Sequence, residues 1–305
     1  MEMTSPQVIG TQKLWVSGFS DEISANFTEQ LTTVKALGMS YISLRSVDGK
    51  NIGDFTVQEV EEDVKPKLAE YHIAVSSIGS PIGKVFINDD EGFLKQKTML
   101  KELCEISQLL ECRYIRIFSF YIPEGHEPQQ YEEQVIDKLR VFVDIAKQYD
   151  IVLLHENEKD IFGDTAARCK AMFRAIDSKY FKAIFDFANF VQCGEDTAQC
   201  YELLREDVVY IHIKDAVTTS SHNVVCGSGE GKIPQLLQQF IESGYEGFLT
   251  LEPHLVMFDS LKTLEIGEVD TVIQNDQNLT GAQGYEKQYK ALQAILKNMT
   301  TQEVF

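Results

Sequence analysis

The chain has 305 residues, of which 44% are hydrophobic and 25% are charged, and its formal net charge is −19. Such a composition is ordinary for a soluble globular protein, and the length suits one eight-unit α/β barrel. Nucleic-acid-binding proteins usually carry a basic surface, so the acidic balance argues against nucleic acid as a partner. Because no apolar stretch is long enough to span a bilayer and the start lacks a signal-peptide pattern, we expect a cytoplasmic protein without a membrane partner.

Short apolar segments alternate with amphipathic segments along the chain, which predicts alternating strands and helices. The first helix is predicted to start in a capping-box-like pattern at Asn26 and to stop at Gly38. The second helix is predicted to kink at Pro66, and Asp164 and Asp196 are predicted N-caps. Later helices are predicted at about 92–111, 130–149 and 284–297. The predicted strands are 14–19, 41–44, 73–78, 114–118, 151–154, a segment within 183–190, 208–213 and 247–251.

This order of elements predicts an α/β fold, a single (β/α)8 TIM barrel that forms one domain over residues 1–305. The segment between the eighth strand and the last helix, at about 253–283, is too long for a bare loop. It is a candidate lid, an oligomer contact or a surface elaboration, and these alternatives stay open. The six cysteines lack zinc-site spacing, so we expect reduced, structural thiols.

Four side chains of metal-ligand type stand at the ends of the last four predicted strands. They are Glu156, Asp186, His212 and Glu252. A buried carboxylate or imidazole is costly unless it is paired or bound, so the repetition needs a common explanation. Because all strands of a parallel barrel end at the same face, these side chains would converge there. The pattern predicts one metal site, and a set of buried ion pairs is the alternative.

Three carboxylates and one imidazole suit Mn²⁺ first, with Mg²⁺, Co²⁺ or Zn²⁺ as alternatives. Such an ion could polarise the carbonyl of a sugar-like substrate and acidify the neighbouring C–H. Arg45 is expected either to bind an anion or to form a salt bridge, and His155 is expected to pack away from the site. Further candidates for substrate binding are Asn189, Lys214, Arg116, Glu158 and His254.

Over essentially its whole length the chain resembles the xylose isomerase-like barrel superfamily, in its sugar phosphate isomerase/epimerase branch. The residues that carry the resemblance are Glu156-Asn157, Asp186, the His-Ile-Lys-Asp run at 212–215, Glu252 in Leu-Glu-Pro-His, and the glycine-rich loop at 227–231. The resemblance implies that Glu156 and Glu252 are also the catalytic residues, which face opposite sides of the substrate and move a proton through an enediolate. Asn189 stands where many relatives have histidine, and Lys232 where many have an acidic residue, so no particular sugar is indicated.

The resulting hypothesis is a metal-dependent isomerase or epimerase, either a ketose epimerase or an aldose–ketose isomerase. Its partner would be a small carbohydrate, with or without a phosphate group. The alternatives are an inosose-type dehydratase that acts on a cyclic polyol ketone and a non-catalytic metal- or sugar-binding homologue. An apurinic endonuclease is disfavoured because the chain has only six histidines and no basic groove. Formation of a homo-oligomer stays open.

Overall fold

Eight parallel strands form the centre of the protein in a computed structural model that describes residues 6–258 and 279–302. Consecutive strands pair in parallel from the second to the eighth, and the eighth pairs with the first. A parallel bridge between Phe19 and Ser43 joins the first strand to the second and completes the ring. The predicted (β/α)8 barrel is confirmed. The strands are β1 (Gln12–Gly18), β2 (Tyr41–Leu44), β3 (Ala74–Ile78), β4 (Tyr114–Ile117), β5 (Val152–Glu156), β6 (Phe181–Asp186), β7 (Val208–Ile213) and β8 (Gly247–Leu251).

Helices connect the strands, and two short hairpins lie outside the main sheet. The helices are α1 (Phe27–Ala36), α2 (Val57–Glu59), α3 (Lys65–Tyr71), α4 (Asp90–Leu109), α5 (Glu132–Gln148), α6 (Ala166–Ile176), α7 (Phe187–Gln192), α8 (Thr197–Leu204), α9 (Ile233–Glu242) and α10 (Gly281–Gln302). A short strand, Gln7–Ile9, pairs antiparallel with β1. Two small hairpins pair Ser46–Val47 with Lys50–Asn51 and Asp215–Ala216 with Asn223–Val224. Among the described helices, none is both long and apolar enough to cross a membrane.

The predicted ends of α1 are confirmed, and the second predicted helix is interrupted next to Pro66, where the kink itself stays a prediction. The Asn26 side chain accepts a hydrogen bond from the Glu29 amide, and Gly38 follows the helix with a φ of 76°. A π-helical turn, Val60–Val64, separates α2 from α3 just before Pro66. Because proline has no N–H, the carbonyl of Glu62 lacks its regular helical partner at this position.

One predicted N-cap is correct and the other is wrong by one residue. Asp196 caps α8 by accepting a hydrogen bond from the Ala198 amide at 2.8 Å. The cap of α6 is Thr165 rather than Asp164, because the Asp164 carboxylate pairs with Arg168 instead. Most of the predicted 253–283 segment lies outside the described residues, so its proposed roles and the extent of the single domain stay predictions.

A layer of buried hydroxyl groups fills the barrel directly below the ends of the strands. The Tyr210 hydroxyl lies 2.9 Å from Ser76 Oγ, 3.0 Å from Ser77 Oγ and 2.7 Å from Thr250 Oγ1. Ser17 and Ser43 extend this network through Ser76 and Ser77, at 2.6 and 2.7 Å. The polar face of the barrel therefore rests on hydrogen-bonded hydroxyls that come from several strands.

We expect Tyr210→Phe to lower the free energy of unfolding by about 1–3 kcal/mol, because the buried Thr250 hydroxyl loses its acceptor. Chemical denaturation measures this change. Tyr180→Phe is the matched control: it removes a hydroxyl that bonds Asp150 near the surface, and it should cost less than about 0.5 kcal/mol. Equal effects of the two substitutions would contradict a stabilising role of the buried layer.

Candidate metal centre

The four predicted ligand residues meet at the carboxyl-terminal face of the barrel. Glu156 and Asp186 are the last residues of β5 and β6, His212 lies in β7, and Glu252 follows β8. All four are between 0% and 2% exposed. One potential ligand atom from each lies within 4.8 Å of those from the other three. The structure therefore brings together the four residues, whose role as metal ligands stays a prediction.

The imidazole of His212 lies among the three carboxylates. Its Nδ1 atom is 2.7 Å from Glu156 Oε1, 3.3 Å from Glu252 Oε2 and 3.8 Å from Asp186 Oδ2. Strand alternation explains this arrangement, because every second residue of a barrel strand points to the interior. His212 and Tyr210 share that interior face of β7, two residues apart.

Each carboxylate has one oxygen fixed by the protein and one oxygen that is buried without a hydrogen-bond partner. Glu156 Oε1 accepts from His212, Glu252 Oε1 accepts from Arg45 at 3.0 Å, and Asp186 Oδ1 accepts from the Asn189 amide at 2.8 Å. Within the part of the chain that the structure describes, the second oxygens have no hydrogen-bond partner, and neither has His212 Nε2. Buried polar atoms of this kind are costly. The donor set and its available oxygens therefore fit a divalent cation.

Two cations border the cluster at ion-pair distance, without the alignment of a hydrogen bond to these second oxygens. Arg116 Nη1 is 3.2 Å from Glu156 Oε2, and Lys214 Nζ is 3.2 Å from Asp186 Oδ2. Lys214 Nζ also lies 3.4 Å from Glu252 Oε2. Both predicted substrate-binding cations are thus next to the cluster, and a role in substrate binding stays a prediction for each.

Arg45 forms a salt bridge, which decides between the two alternatives that the sequence left open. Its guanidinium donates to both oxygens of Asp21, at 2.8 and 2.9 Å, and to Glu252 Oε1. It lies 3.4 Å from Glu22 Oε1 and 4.3 Å from the centre of the Phe19 ring. Sequence reasoning missed Asp21 and Glu22, although they lie in the short 3-10 turn Ser20–Glu22 just after β1 and so repeat the pattern of an acidic residue near the end of a strand.

A second group of potential ligands, Glu22, Glu252 and His254, is buried beside the first. His254 is not a surface residue: its amide donates to Glu22 Oε2, and its Nε2 lies 3.5 Å from both Glu22 Oε1 and Glu252 Oε1. The Arg45 guanidinium already supplies a positive charge to these carboxylates. Arg45 makes hydrogen bonds to Glu22 and Glu252, whereas Arg116 and Lys214 lie near the available oxygens of the first group at ion-pair distance, and this difference distinguishes the two groups.

The other predicted residues contact the protein itself. The Asn189 side-chain amide donates to the Asn157 carbonyl at 2.7 Å and so ties the end of β6 to the end of β5. Glu158 forms an ion pair of 3.4 Å with Lys84 at the edge of the site. His155 packs outside the barrel as expected, with Nε2 3.0 Å from Ser119 Oγ, and burial lowers its pKa to about 3.

The charged groups shift one another's pKa values. Burial would raise the pKa of Glu156, but His212 beside it lowers the value to about 2. Burial opposes protonation of His212, yet Glu156 raises the histidine pKa to about 9. For Glu252, burial is outweighed by Lys214 and the neighbouring histidines, which hold its pKa well below the usual range. Both glutamates are therefore ionised at neutral pH.

The glycine-rich loop after β7 binds a carboxylate of its own chain. Asp215 accepts hydrogen bonds from the amides of Gly227, Gly229 and Gly231, each at 2.9 Å. A Cβ atom on Gly229 would lie 2.4 Å from Asp215 Oδ1 and 2.5 Å from the Ala216 carbonyl oxygen. The loop therefore needs glycine for close approach, and its amides hold the segment that follows His212 and Lys214.

A family model described as xylose isomerase-like TIM barrel matches residues 31–265. The chain belongs to this family.

The similar proteins found for this xylose isomerase-like barrel are distant in sequence. This chain is 25% identical over 167 residues to the uncharacterized protein MJ1311 of Methanocaldococcus jannaschii. The match covers 52% of this chain and only 56% of that protein. The IOLI protein, solved with a binding zinc atom, superposes with a TM-score of 0.71 at 15% identity, covering 93% of this chain and 99% of that one. The 3-keto-D-glucoside 4-epimerase YcjR of E. coli has a TM-score of 0.66 at 18% identity, covering 94% and 99%. At these identities the superpositions show the shared fold.

We expect Gly229→Ala to lower the free energy of unfolding by more than about 2 kcal/mol, because the new methyl group would overlap Asp215 and a backbone oxygen. Gly194→Ala is the comparison, since Gly194 has a φ of 76° but open space around it. That substitution should lower the free energy of unfolding by only about 1 kcal/mol, because alanine is less stable than glycine in the left-handed backbone conformation. A smaller effect at Gly229 than at Gly194 in chemical denaturation would contradict the close-packed loop.

Proposed function

We propose that this protein is a divalent-metal-dependent isomerase or epimerase that acts on a small carbohydrate by moving a proton at the carbon next to a carbonyl. The observation that carries the proposal is the buried cluster in which three carboxylates each present one available oxygen beside His212. The zinc atom in the IOLI structure and the epimerase activity in the name of YcjR support the same class of chemistry. These two proteins share the fold of this chain.

Glu156, Asp186, His212 and Glu252 would hold the ion, and we propose Mn²⁺ because oxygen ligands dominate the set. When bound, the metal would act as a Lewis acid that polarises the substrate carbonyl and acidifies the adjacent C–H. The family relationship and the donor chemistry support this assignment.

We propose that the two glutamates transfer protons on opposite sides of the substrate, and the strand order supports this arrangement. Glu156 and Glu252 come from the outer two of the four consecutive strands β5 to β8, whereas Asp186 and His212 come from the inner two. Each glutamate is ionised and has one oxygen anchored, Glu156 by His212 and Glu252 by Arg45. Such a fixed carboxylate can remove a proton from one face of a substrate. The opposite glutamate, once it has taken up a proton from solvent, can return that proton to the other face.

The carbon and the face to which the proton returns determine the product. Removal by one glutamate and return by the other inverts one stereocentre and gives an epimerase. Movement of the proton between neighbouring carbons gives an aldose–ketose isomerase. Arg116, Lys214 and His254 border the two glutamates, and Glu158 pairs with Lys84. We propose that these four predicted residues, Glu158, His254, Arg116 and Lys214, contact substrate oxygens together with Asn189.

Metal affinity tests which of the two acidic groups holds the ion. We expect Asp186→Asn to weaken Mn²⁺ binding at least tenfold, about 1.4 kcal/mol, because it removes one anionic ligand. Glu22→Gln makes the same chemical change in the second group, where Arg45 already supplies the positive charge, and should alter the affinity by less than about threefold. Isothermal titration of metal-free protein measures both. Equal weakening by the two substitutions would contradict the assignment of the site.

Solvent-deuterium incorporation tests the reaction. Metal-free and Mn²⁺-loaded protein would be incubated in D₂O with ketoses, aldoses, their phosphates and inosose-type ketones, and the products read by mass spectrometry and NMR. We expect metal-dependent exchange at one carbon next to a carbonyl. Exchange with loss of water would identify a dehydratase, and no exchange by protein that holds Mn²⁺ would favour a non-catalytic binding protein.

A substitution at Glu252 tests whether this residue is the base in the deuterium exchange. Glu252→Gln should reduce the exchange rate by about 10²–10⁴-fold while the metal content is kept saturated, because the amide cannot accept the proton. Glu242→Gln, the same change on the exposed side of α9, should leave the rate unchanged. Full exchange by Glu252→Gln would refute a two-glutamate mechanism.

A further inference from the structure

Lys214 borders the ligand cluster with a buried side chain. Its side chain is 4% exposed, and its Nζ atom is 3.2 Å from Asp186 Oδ2 and 3.4 Å from Glu252 Oε2. These are two of the oxygens that have no hydrogen-bond partner among the described residues and that would be available to a metal ion. The ammonium group and a metal ion would therefore interact with the same two atoms.

We propose that Lys214 is an internal counter-ion that stands in for the metal, so that the site stays folded without the ion and binds it less tightly than the carboxylates alone would. This inference rests on the proposed metal site. It assigns to Lys214 a function that is separate from any contact with substrate.

The distribution of the neighbouring cations supports this role. Glu156 has Arg116 beside it at 3.2 Å, and Glu252 has Arg45 at 3.0 Å. For Asp186, the described ion-pair contacts are with Lys214, at 3.2 Å, and with His212, at 3.8 Å. Since a buried carboxylate without a compensating charge is strongly destabilising, Asp186 depends on Lys214 when no metal is bound.

The same contact must oppose metal binding. Like charges that share ligands repel, and the repulsion is strong in a buried site of low dielectric constant. Coupling between two binding events is reciprocal, so a lysine that weakens metal binding also makes the protein less dependent on the metal for its stability. Removal of the charge should therefore change metal affinity and metal-free stability in opposite directions.

Three variants test the proposal. Lys214→Met removes the charge and keeps a similar length, Lys214→Arg keeps the charge, and Lys232→Met removes an equal charge from the half-exposed ion pair with Asp196. The measurements are Mn²⁺ affinity by isothermal titration and melting temperature with EDTA or with saturating Mn²⁺.

We expect Lys214→Met to bind Mn²⁺ at least tenfold more tightly than the unaltered protein, which corresponds to about 1.4 kcal/mol. Its melting temperature in EDTA should fall by about 5 °C or more, and saturating Mn²⁺ should restore most of that loss. Lys214→Arg should stay within about threefold of the original affinity, and Lys232→Met should change neither quantity. If Lys214→Met folds only after Mn²⁺ is added, the proposal is supported in its strongest form.

Other outcomes would overturn the inference. Unchanged or weaker Mn²⁺ binding by Lys214→Met would exclude competition between the lysine and the metal. An equal fall in melting temperature with and without Mn²⁺, or failure to fold in both conditions, would show an ordinary structural ion pair. Absence of Mn²⁺ binding by the unaltered protein would refute the proposed metal site itself, whereas binding that is indifferent to Lys214 would refute only this inference.

Discussion

The burial of three carboxylates at one end of the barrel is the constraint on which the rest of the site depends. Desolvated carboxylates repel one another and lose hydration, so they need positive partners and hydrogen bonds. The protein provides one fixed contact for each: His212 for Glu156, Arg45 for Glu252 and the Asn189 amide for Asp186. The second oxygen of each carboxylate is then held in place and available, which is the geometry that a preorganised cation site requires.

Elements outside the cluster are built around this constraint. The hydroxyl layer of Tyr210, Ser76 and Thr250 supports the strand ends from below with groups that are hydrogen-bonded to one another. From the side, Asp215 binds the amides of the glycine-rich loop and fixes the chain directly after Lys214. Surroundings of this kind hold the backbone of the cluster residues in place. The available carboxylate oxygens are therefore kept from moving toward other partners.

Much of the fold and the four cluster residues could be predicted because their signals are local in sequence. An acidic or imidazole side chain at the end of a strand occurs four times, and parallel strand direction alone places those side chains on one face. Arg45 was different. Its alternatives could not be separated in sequence, because its partner Asp21 lies 24 residues away and its partner Glu252 lies 207 residues away. At Asp164 and Thr165, two adjacent residues could cap α6, and the pairing of Asp164 with Arg168 decided which one does.

The two acidic groups show why composition alone cannot identify a metal site. Both contain buried carboxylates and a histidine, and they share Glu252. In the second group a guanidinium makes hydrogen bonds to Asp21 and Glu252, so the charges there are satisfied by a permanent part of the chain. In the first group the ammonium of Lys214 lies near the available oxygens without alignment for a hydrogen bond. A lysine ammonium held by ion pairs is displaced more readily than a planar guanidinium that makes several hydrogen bonds, and this difference supports the first group as the proposed place for an exchangeable ion.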